Sequence, residues 1–195
     1  MALVLYLLAW NRLEANERII VALLAVIVIT EQISYFFGSM ENSINFIYNI
    51  SIPVQRVLAM WIFMMDQKKV KVKRLFKAGM ISILLVYAMG HLQEEPLKGF
   101  HYNSNSITAF ILAGFSYFHL RSISLGSISS SRIIIMFTVA SLVYSTLSIS
   151  SMSAQPLAQI IDMEFALHIY AGNLIAYALW STIIIIPLVW KAQKN

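Results

Sequence analysis

Residues 19–30 read IIVALLAVIVIT, a run in which eleven consecutive apolar residues precede one threonine. An α-helix rises about 1.5 Å per residue and the hydrocarbon of a bilayer is about 30 Å thick, so a spanning helix needs about 20 mainly apolar residues. The run sits inside such a segment, residues 19–38, whose one acidic or basic residue is Glu31. This stretch therefore predicts a membrane-spanning helix.

Similar apolar segments follow one another along the whole chain. They are continuous rather than strictly alternating, which favours helices over the strands of a membrane barrel. We predict an all-α polytopic membrane helix bundle, one domain over residues 1–195, with about seven transmembrane helices. The first segment is the weakest, because its apolar part covers only about 13 Å as helix and fits a short or half-inserted helix, or the end of a longer one. The predicted segments are residues 2–13, 19–38, 44–65, 75–92, 105–120, 133–150 and 165–190.

The composition excludes several classes of protein. Of the 195 residues, 59% are hydrophobic and 12% charged, with a mean hydropathy of +0.73. An ordinary soluble domain has roughly 45–50% apolar and about 25% charged residues. A soluble enzyme, a nucleic-acid-binding domain and a disordered chain are therefore excluded. The chain has no cysteine, which excludes disulfide scaffolds, Fe–S clusters and thiol nucleophiles, and we expect neither a metal nor a cofactor.

The distribution of Lys and Arg predicts an orientation. Twelve of these residues fall at one set of segment ends, while Lys98 alone falls at the other and Arg56 lies inside a span. Basic residues collect on the cytoplasmic side of a membrane, so the amino terminus is predicted outside and the carboxyl terminus in the cytoplasm. The twelve are Arg12, Arg18, Lys68, Lys69, Lys71, Lys73, Arg74, Lys77, Arg121, Arg132, Lys191 and Lys194.

Two charged residues at membrane depth mark a candidate ligand-binding pocket. An ionisable group inside a bilayer is costly, so Glu31 and Arg56 are each a functional hypothesis. Helical periodicity places further polar groups on their faces, and Pro53 removes a backbone donor just before Arg56. The alternative interpretation is an internal ion pair that only fixes helix packing. The candidate pocket residues are Glu31, Tyr35, Asn45, Asn49, Arg56, His168 and Asn173.

The histidines allow one further hypothesis. His91 and His168 are predicted at similar depth, as a bis-imidazole metal or haem site would need. No local ligand spacing supports such a site, and isolated interfacial histidines are the commoner case.

A basic segment joins the third and fourth predicted helices. Its ordinary role is to anchor the chain on the positive-inside side. The alternative is a contact with anionic lipid or with an acidic partner protein. The segment contains Lys68, Lys69, Lys71, Lys73, Arg74 and Lys77.

One stretch resembles a known group of proteins. Residues 30–35, TEQISY, followed by residues 46–55, FIYNISIPVQ, resemble small uncharacterised multi-pass membrane proteins of Bacteroidota-type bacteria with six or seven helices. The resemblance implies a bacterial inner-membrane helix bundle, with Asn173 matching an asparagine in a late helix, and it supplies no activity. The chain departs from the pattern with Asn49 in place of a histidine and Gln55 in place of a glutamate.

These observations favour a non-enzymatic integral membrane module that senses a ligand or assembles with a partner protein or a second copy of itself. The first alternative is a small-solute transporter with its polar site near Glu31 and Arg56. The second is an intramembrane enzyme, although the sequence contains no recognisable catalytic motif. The bilayer is the expected partner in every case, and nucleic acid is not expected.

Overall fold

The structure of the chain is a computed structural model that describes residues 10–37, 41–93 and 101–193. Within these ranges only the backbone is described for residues 12, 41–44, 93, 155–159, 163, 170, 173–174, 181, 185 and 187–193. The chain forms two compact units, Met1–Ser104 and Asn105–Asn195.

The described residues are helical, which confirms the all-α class, and no strand occurs among them. A short 3-10 turn, Trp10–Arg12, precedes the first long helix. Most of the predicted segment 2–13 lies outside the described residues, so the seven-helix count and the orientation of the termini stay predictions. The helices are α1 (Ala15–Phe36), α2 (Glu41–Asp66), α3 (Val70–Gln93), α4 (Tyr102–Ser124), α5 (Arg132–Ile161) and α6 (Met163–Gln193).

Four of these helices are long and apolar enough to cross a membrane, by length and composition. The candidate spans are Ala15–Phe36, Asn45–Asp66, Val70–Leu92 and Arg132–Ala154. Helix α4 has the length but not the apolar character, because asparagine, serine and histidine residues interrupt it. In α6 the described apolar stretch is the shorter segment Ile175–Ile184.

In the first unit, α1 packs against α2 and α2 packs against α3. The α1–α2 pair is antiparallel, because Asn16 Nδ2 at the start of α1 donates to Asp66 Oδ1 at the end of α2 over 3.2 Å. The α2–α3 pair is antiparallel too, with the fully buried rings of Phe63 and Phe76 edge to face at 6.5 Å. Edge-to-face packing suits the ring quadrupoles and helps to fix the register of these helices.

In the second unit, α5 packs against α6. Aromatic rings fill this seam: the centroid of Trp180 lies 6.4 Å from that of Phe137 and 5.7 Å from that of Tyr144. The indole N–H of Trp180 donates to Ser141 Oγ over 3.5 Å, so the one polar atom of this buried ring has a partner.

Helix α5 continues to Ile161, eleven residues beyond the predicted segment 133–150. The added residues include the polar side chains of Ser151 and Ser153. Ser150 and Ser151 bond within the helix, because Ser150 Oγ donates to the Thr146 carbonyl and Ser151 Oγ to the Ser148 carbonyl. Such back-bonding lets a membrane helix carry hydroxyl groups without losing backbone hydrogen bonds.

Helix α4 ends in a Schellman motif. The Gly126 N–H donates to the Ile123 carbonyl over 2.9 Å, and the Ser127 N–H donates to the Ser122 carbonyl over 3.0 Å. Gly126 has a φ of 66°, the left-handed conformation that this motif requires at its glycine.

Replacing Gly126 with alanine should therefore destabilise the second unit. A side chain in the left-handed region costs about 1–2 kcal/mol, and no neighbouring atom lies within 4 Å of the added Cβ to add a clash. Thermal unfolding in detergent micelles measures the change. Gly172→Ala is the control, since Gly172 is helical and equally open, and it should be neutral or stabilising. Equal midpoints for the two variants would contradict the expectation.

Candidate functional site

A buried arginine lies at the centre of the first unit. Arg56 is 6% exposed and is ten or eleven residues from either end of the span Asn45–Asp66, or about 15 Å along the helix axis. Its Nη1 donates to the hydroxyl of Tyr87, on α3, over 3.4 Å. Tyr87 is itself buried. A guanidinium at the middle of a membrane span is costly in free energy. Here it is hydrogen-bonded to a neutral group, the Tyr87 hydroxyl of the next helix.

A second polar contact lies two turns away on the same face of α2. Asn49, which is fully buried, accepts a hydrogen bond at Oδ1 from the backbone N–H of His101 over 3.2 Å. This bond holds His101, the residue just before α4, against α2. Asn49 and Arg56 are seven residues apart, so both face the same side of their helix.

Two imidazole rings meet beside this contact. The centroids of His91 and His101 are 4.7 Å apart, with the rings edge to face, and His101 is fully buried. His91 Nδ1 is buried and has no hydrogen-bond partner among the described residues. An imidazole nitrogen in that state is costly unless something else supplies a partner.

A glycine makes room for this pair. A Cβ at Gly90 would lie against Ser104 Oγ and 2.9 Å from His101 Nδ1. Ser104 is also buried, and its hydroxyl donates to the Val86 carbonyl over 3.4 Å. The absence of a side chain at Gly90 thus lets the end of α3 and the start of α4 approach closely.

We call the side chains of these two sets of contacts, which lie about 10 Å apart along α2, the polar cluster. They are supplied by α2, by α3, by His101 just before α4 and by the first turn of α4. The polar cluster offers a guanidinium, two imidazoles, an amide and two hydroxyls, a set dominated by hydrogen-bond donors. The polar cluster consists of Asn49, Arg56, Tyr87, His91, His101 and Ser104.

Glu31 lies outside the polar cluster. It is exposed near the end of α1, and its Oε2 accepts a hydrogen bond from the hydroxyl of Tyr48 over 3.2 Å. Tyr48 precedes Arg56 by eight residues, or about 12 Å along the axis of α2. The structure thus gives Glu31 and Arg56 separate hydrogen-bond partners at different depths.

The remaining predicted pocket residues are dispersed. Tyr35 is 82% exposed, and Asn45 is half-buried at the start of the second span. His168 belongs to the second unit, where it is exposed and its Nδ1–H donates to the Glu164 carbonyl over 2.8 Å. Asn173 is helical, but its side chain lies outside the described residues. Of the predicted pocket, Asn49 and Arg56 are in the polar cluster.

A second buried histidine is fixed by a hydroxyl in the second unit. Thr138 Oγ1 donates to the Ile134 carbonyl over 2.7 Å, so its oxygen accepts from His119 Nδ1–H over 3.0 Å. His119 is therefore protonated at Nδ1 and joins α4 to α5. Both residues are fully buried, and the arrangement is typical of interhelical packing in membranes.

The described side chains form no group of three or more His, Asp or Glu residues that could hold a metal ion. Two imidazoles alone fall short of the three or four protein ligands that zinc sites use.

The basic segment lies where α3 begins. Lys68 and Lys69 are exposed in the connection before the helix, and Lys71, Arg74 and Lys77 are exposed on the helix itself. Lys73 is half-buried. Since Val70–Leu92 is a candidate span, these cations lie at one end of it.

No protein-family description, curated protein or solved structure matches the chain. The resemblance to bacterial multi-pass proteins therefore stays a prediction.

Sequence reasoning missed Tyr87, His101 and Ser104. A weak signal existed, because Tyr87 and His91 are four residues apart and share a face of α3, as Asn49 and Arg56 do on α2. Nothing local indicated that His101 contacts α2 and that Ser104 contacts α3, since these residues are distant in sequence from Asn49 and Val86.

Proposed function

We propose that the protein is a non-enzymatic integral membrane module of the bacterial inner membrane that binds a small polar ligand at the polar cluster. Its amino terminus is outside and its carboxyl terminus cytoplasmic. Ligand binding serves sensing or assembly with a partner protein. The observation that carries the proposal is Arg56, a buried cation midway along a candidate span.

The free-energy cost of burying Arg56 favours a ligand-binding role for the polar cluster over a role in helix packing alone. A central arginine costs roughly 2.5–3.5 kcal/mol to insert on biological scales. Apolar residues of similar volume can pack two helices at no such cost. A charged side chain inside a membrane span is typical of a ligand site or of a substrate or ion pathway.

The chemistry of the polar cluster indicates the kind of ligand. Guanidinium and hydroxyl groups, together with imidazole N–H groups, donate hydrogen bonds to oxygen acceptors. Glu14 lies at the N-cap of α1, and the other described carboxylates of the first unit make contacts outside the polar cluster: Glu17 accepts from the Glu14 N–H, Glu31 from Tyr48 and Asp66 from Asn16. A small molecule rich in acceptor oxygens, such as a carboxylate or a phosphate ester, complements this site.

A small-solute transporter is the second candidate, and one backbone feature favours it. Pro53 lies inside α2 and is buried. It lacks the N–H that would otherwise bond to the carbonyl of Asn49, so the helix ladder is interrupted beside the polar cluster. Interrupted helices next to a midplane polar site are common in transporters.

Native mass spectrometry of the detergent-purified protein tests the proposal. Wild type should retain a small non-lipid molecule, and Arg56→Gln should lose it. Tyr87→Phe should weaken retention about tenfold, because it removes a hydroxyl that orients the guanidinium.

Tyr48→Phe is the matched control, since it makes the same chemical change at the exposed contact with Glu31. It should retain the molecule like wild type. Circular dichroism checks that all variants stay helical. The proposal fails if wild type retains no small molecule, or if all variants retain it equally. If wild type retains a molecule, an uptake assay in proteoliposomes distinguishes the two candidate functions. Uptake of that molecule would show a transporter, and binding without uptake would support a sensing module.

A further inference from the structure

The outward face of α3 changes character along its length. Arg74 and Lys77 are exposed, and the residues that follow on the same face are exposed and apolar, with Ile81 57% and Leu85 57% accessible. Steps of three, four and seven residues keep side chains on one side of a helix. The exposed stripe therefore runs from two cations directly into large aliphatic side chains.

The depth of these residues follows from the span. Val70–Leu92 is long and apolar enough to cross a membrane. Arg74 lies about 6 Å and Lys77 about 10 Å from its beginning, from where their long side chains extend to the lipid headgroups. Ile81 and Leu85 lie one and two turns deeper, where acyl chains begin. The order along the stripe thus matches the order of groups along a phospholipid.

The local charge selects the kind of phospholipid. Six cations lie between residues 68 and 77, and no acidic residue lies in the first turn of α3. Asp66, just before them, is bonded to Asn16. A zwitterionic headgroup would place its own cation beside these six, where like charges repel. An anionic headgroup has no such cation. Arginine adds bidentate hydrogen bonding to phosphate oxygens.

We infer that the outward face of α3 binds an anionic phospholipid, with its phosphate between Arg74 and Lys77 and an acyl chain along Ile81 and Leu85. This site is separate from the polar cluster and does not depend on the ligand proposed there. It is also more specific than positive-inside anchoring, which requires basic residues near the membrane but not on a lipid-facing stripe.

A charge-matched pair of double variants distinguishes the two roles. Arg74→Gln with Lys77→Gln removes the two cations of the stripe. Lys68→Gln with Lys69→Gln removes the same charge from the connection that precedes α3. All four side chains are exposed, so neither variant disturbs the core.

The experiment is a native mass spectrometry titration with phosphatidylglycerol and with phosphatidylcholine of the same acyl chains. A cation near an anionic surface gives about a fivefold preference, so two give wild type roughly a 30-fold preference for phosphatidylglycerol. The Arg74/Lys77 variant should bind the two lipids almost equally. The Lys68/Lys69 variant should keep most of the preference.

Three results would overturn the inference. Wild type could show no preference between the lipids. The two double variants could lose the preference equally, which would mean that net charge alone acts. Inorganic phosphate at millimolar concentration could displace phosphatidylglycerol, which would mean that the cations bind the anion and not a lipid. Size-exclusion elution of each variant confirms that the compared proteins are folded.

Discussion

Replacing Arg56 with alanine is expected to lower the free energy of unfolding by about 3 kcal/mol, the middle of the range for truncating a large buried side chain. The substitution empties space between α2 and α3 and removes the donor that pairs with the buried hydroxyl of Tyr87. Removing a buried charge relieves some desolvation, but a side chain as short as alanine cannot fill the volume. Thermal unfolding of the purified protein in detergent micelles measures the loss.

Arg56→Met separates volume from charge. Methionine restores most of the side-chain volume, and the relieved desolvation of the charge offsets the lost hydrogen bond of about 1 kcal/mol, so this variant should be at least as stable as wild type. Tyr87→Phe should lose about 1 kcal/mol, because the buried guanidinium keeps its charge but loses the hydroxyl that accepts from it. If alanine and methionine at position 56 give the same midpoint, Arg56 does not pack between the helices as described.

Replacing Gly90 with alanine should displace the ring of His101 and weaken the contact between the end of α3 and the residues that lead into α4. The new Cβ would meet Ser104 Oγ and lie 2.9 Å from His101 Nδ1. The hydroxyl can rotate, but the imidazole is held, because the His101 N–H is bonded to Asn49 and its ring packs against His91. Overpacking of this kind costs about 1–3 kcal/mol, which offsets or exceeds the gain of about 1 kcal/mol from alanine in a helix.

Gly114 provides the matched control within α4. It has open space around the position of a Cβ, so Gly114→Ala should gain helix stability without a clash. The two variants should differ in unfolding free energy by about 1–3 kcal/mol, with Gly90→Ala the less stable. Ligand retention should also fall in Gly90→Ala alone. If Gly90→Ala is as stable as Gly114→Ala, the close approach at Gly90 is not required.

The all-helical class could be predicted from the sequence because the hydrocarbon of a bilayer offers no hydrogen-bond partners to the backbone. Every backbone group in hydrocarbon must bond within its own segment, so a long apolar run has few alternatives to a helix. The same argument fails at helix ends, where bonding is local: serines 150 and 151 back-bond to their own helix and carry α5 past the predicted end. Helix α4 shows the other limit, because the predicted segment 105–120 does form a helix, but that helix is not among the four that are long and apolar enough to cross a membrane.

The polar cluster was only partly predictable. Asn49 and Arg56 share a face of one helix, and helical periodicity places such residues together. Their partners Tyr87 and His101 come from elsewhere in the chain, at a register set by the packing of Phe63 on Phe76 and by the gap at Gly90. Pairing Glu31 with Arg56 remained a natural hypothesis from charge alone, yet the group that reaches Glu31 is the neutral hydroxyl of Tyr48. Charge indicates which residues need partners, while the register of the helices decides which partners they meet.

The antiparallel packing of α1 on α2 bears on how the chain enters a bilayer. The span in α1 has a mean hydropathy of 2.2 and contains the uninterrupted aliphatic run, whereas the span in α2 has a mean hydropathy of 1.3 and contains Arg56. Alone, α2 partitions poorly, because a central arginine opposes much of the gain from its apolar residues. Synthesis proceeds from the amino terminus, so the strongly partitioning α1 emerges before α2. The weaker helix then enters as the second arm of a hairpin, with a protein surface already beside it.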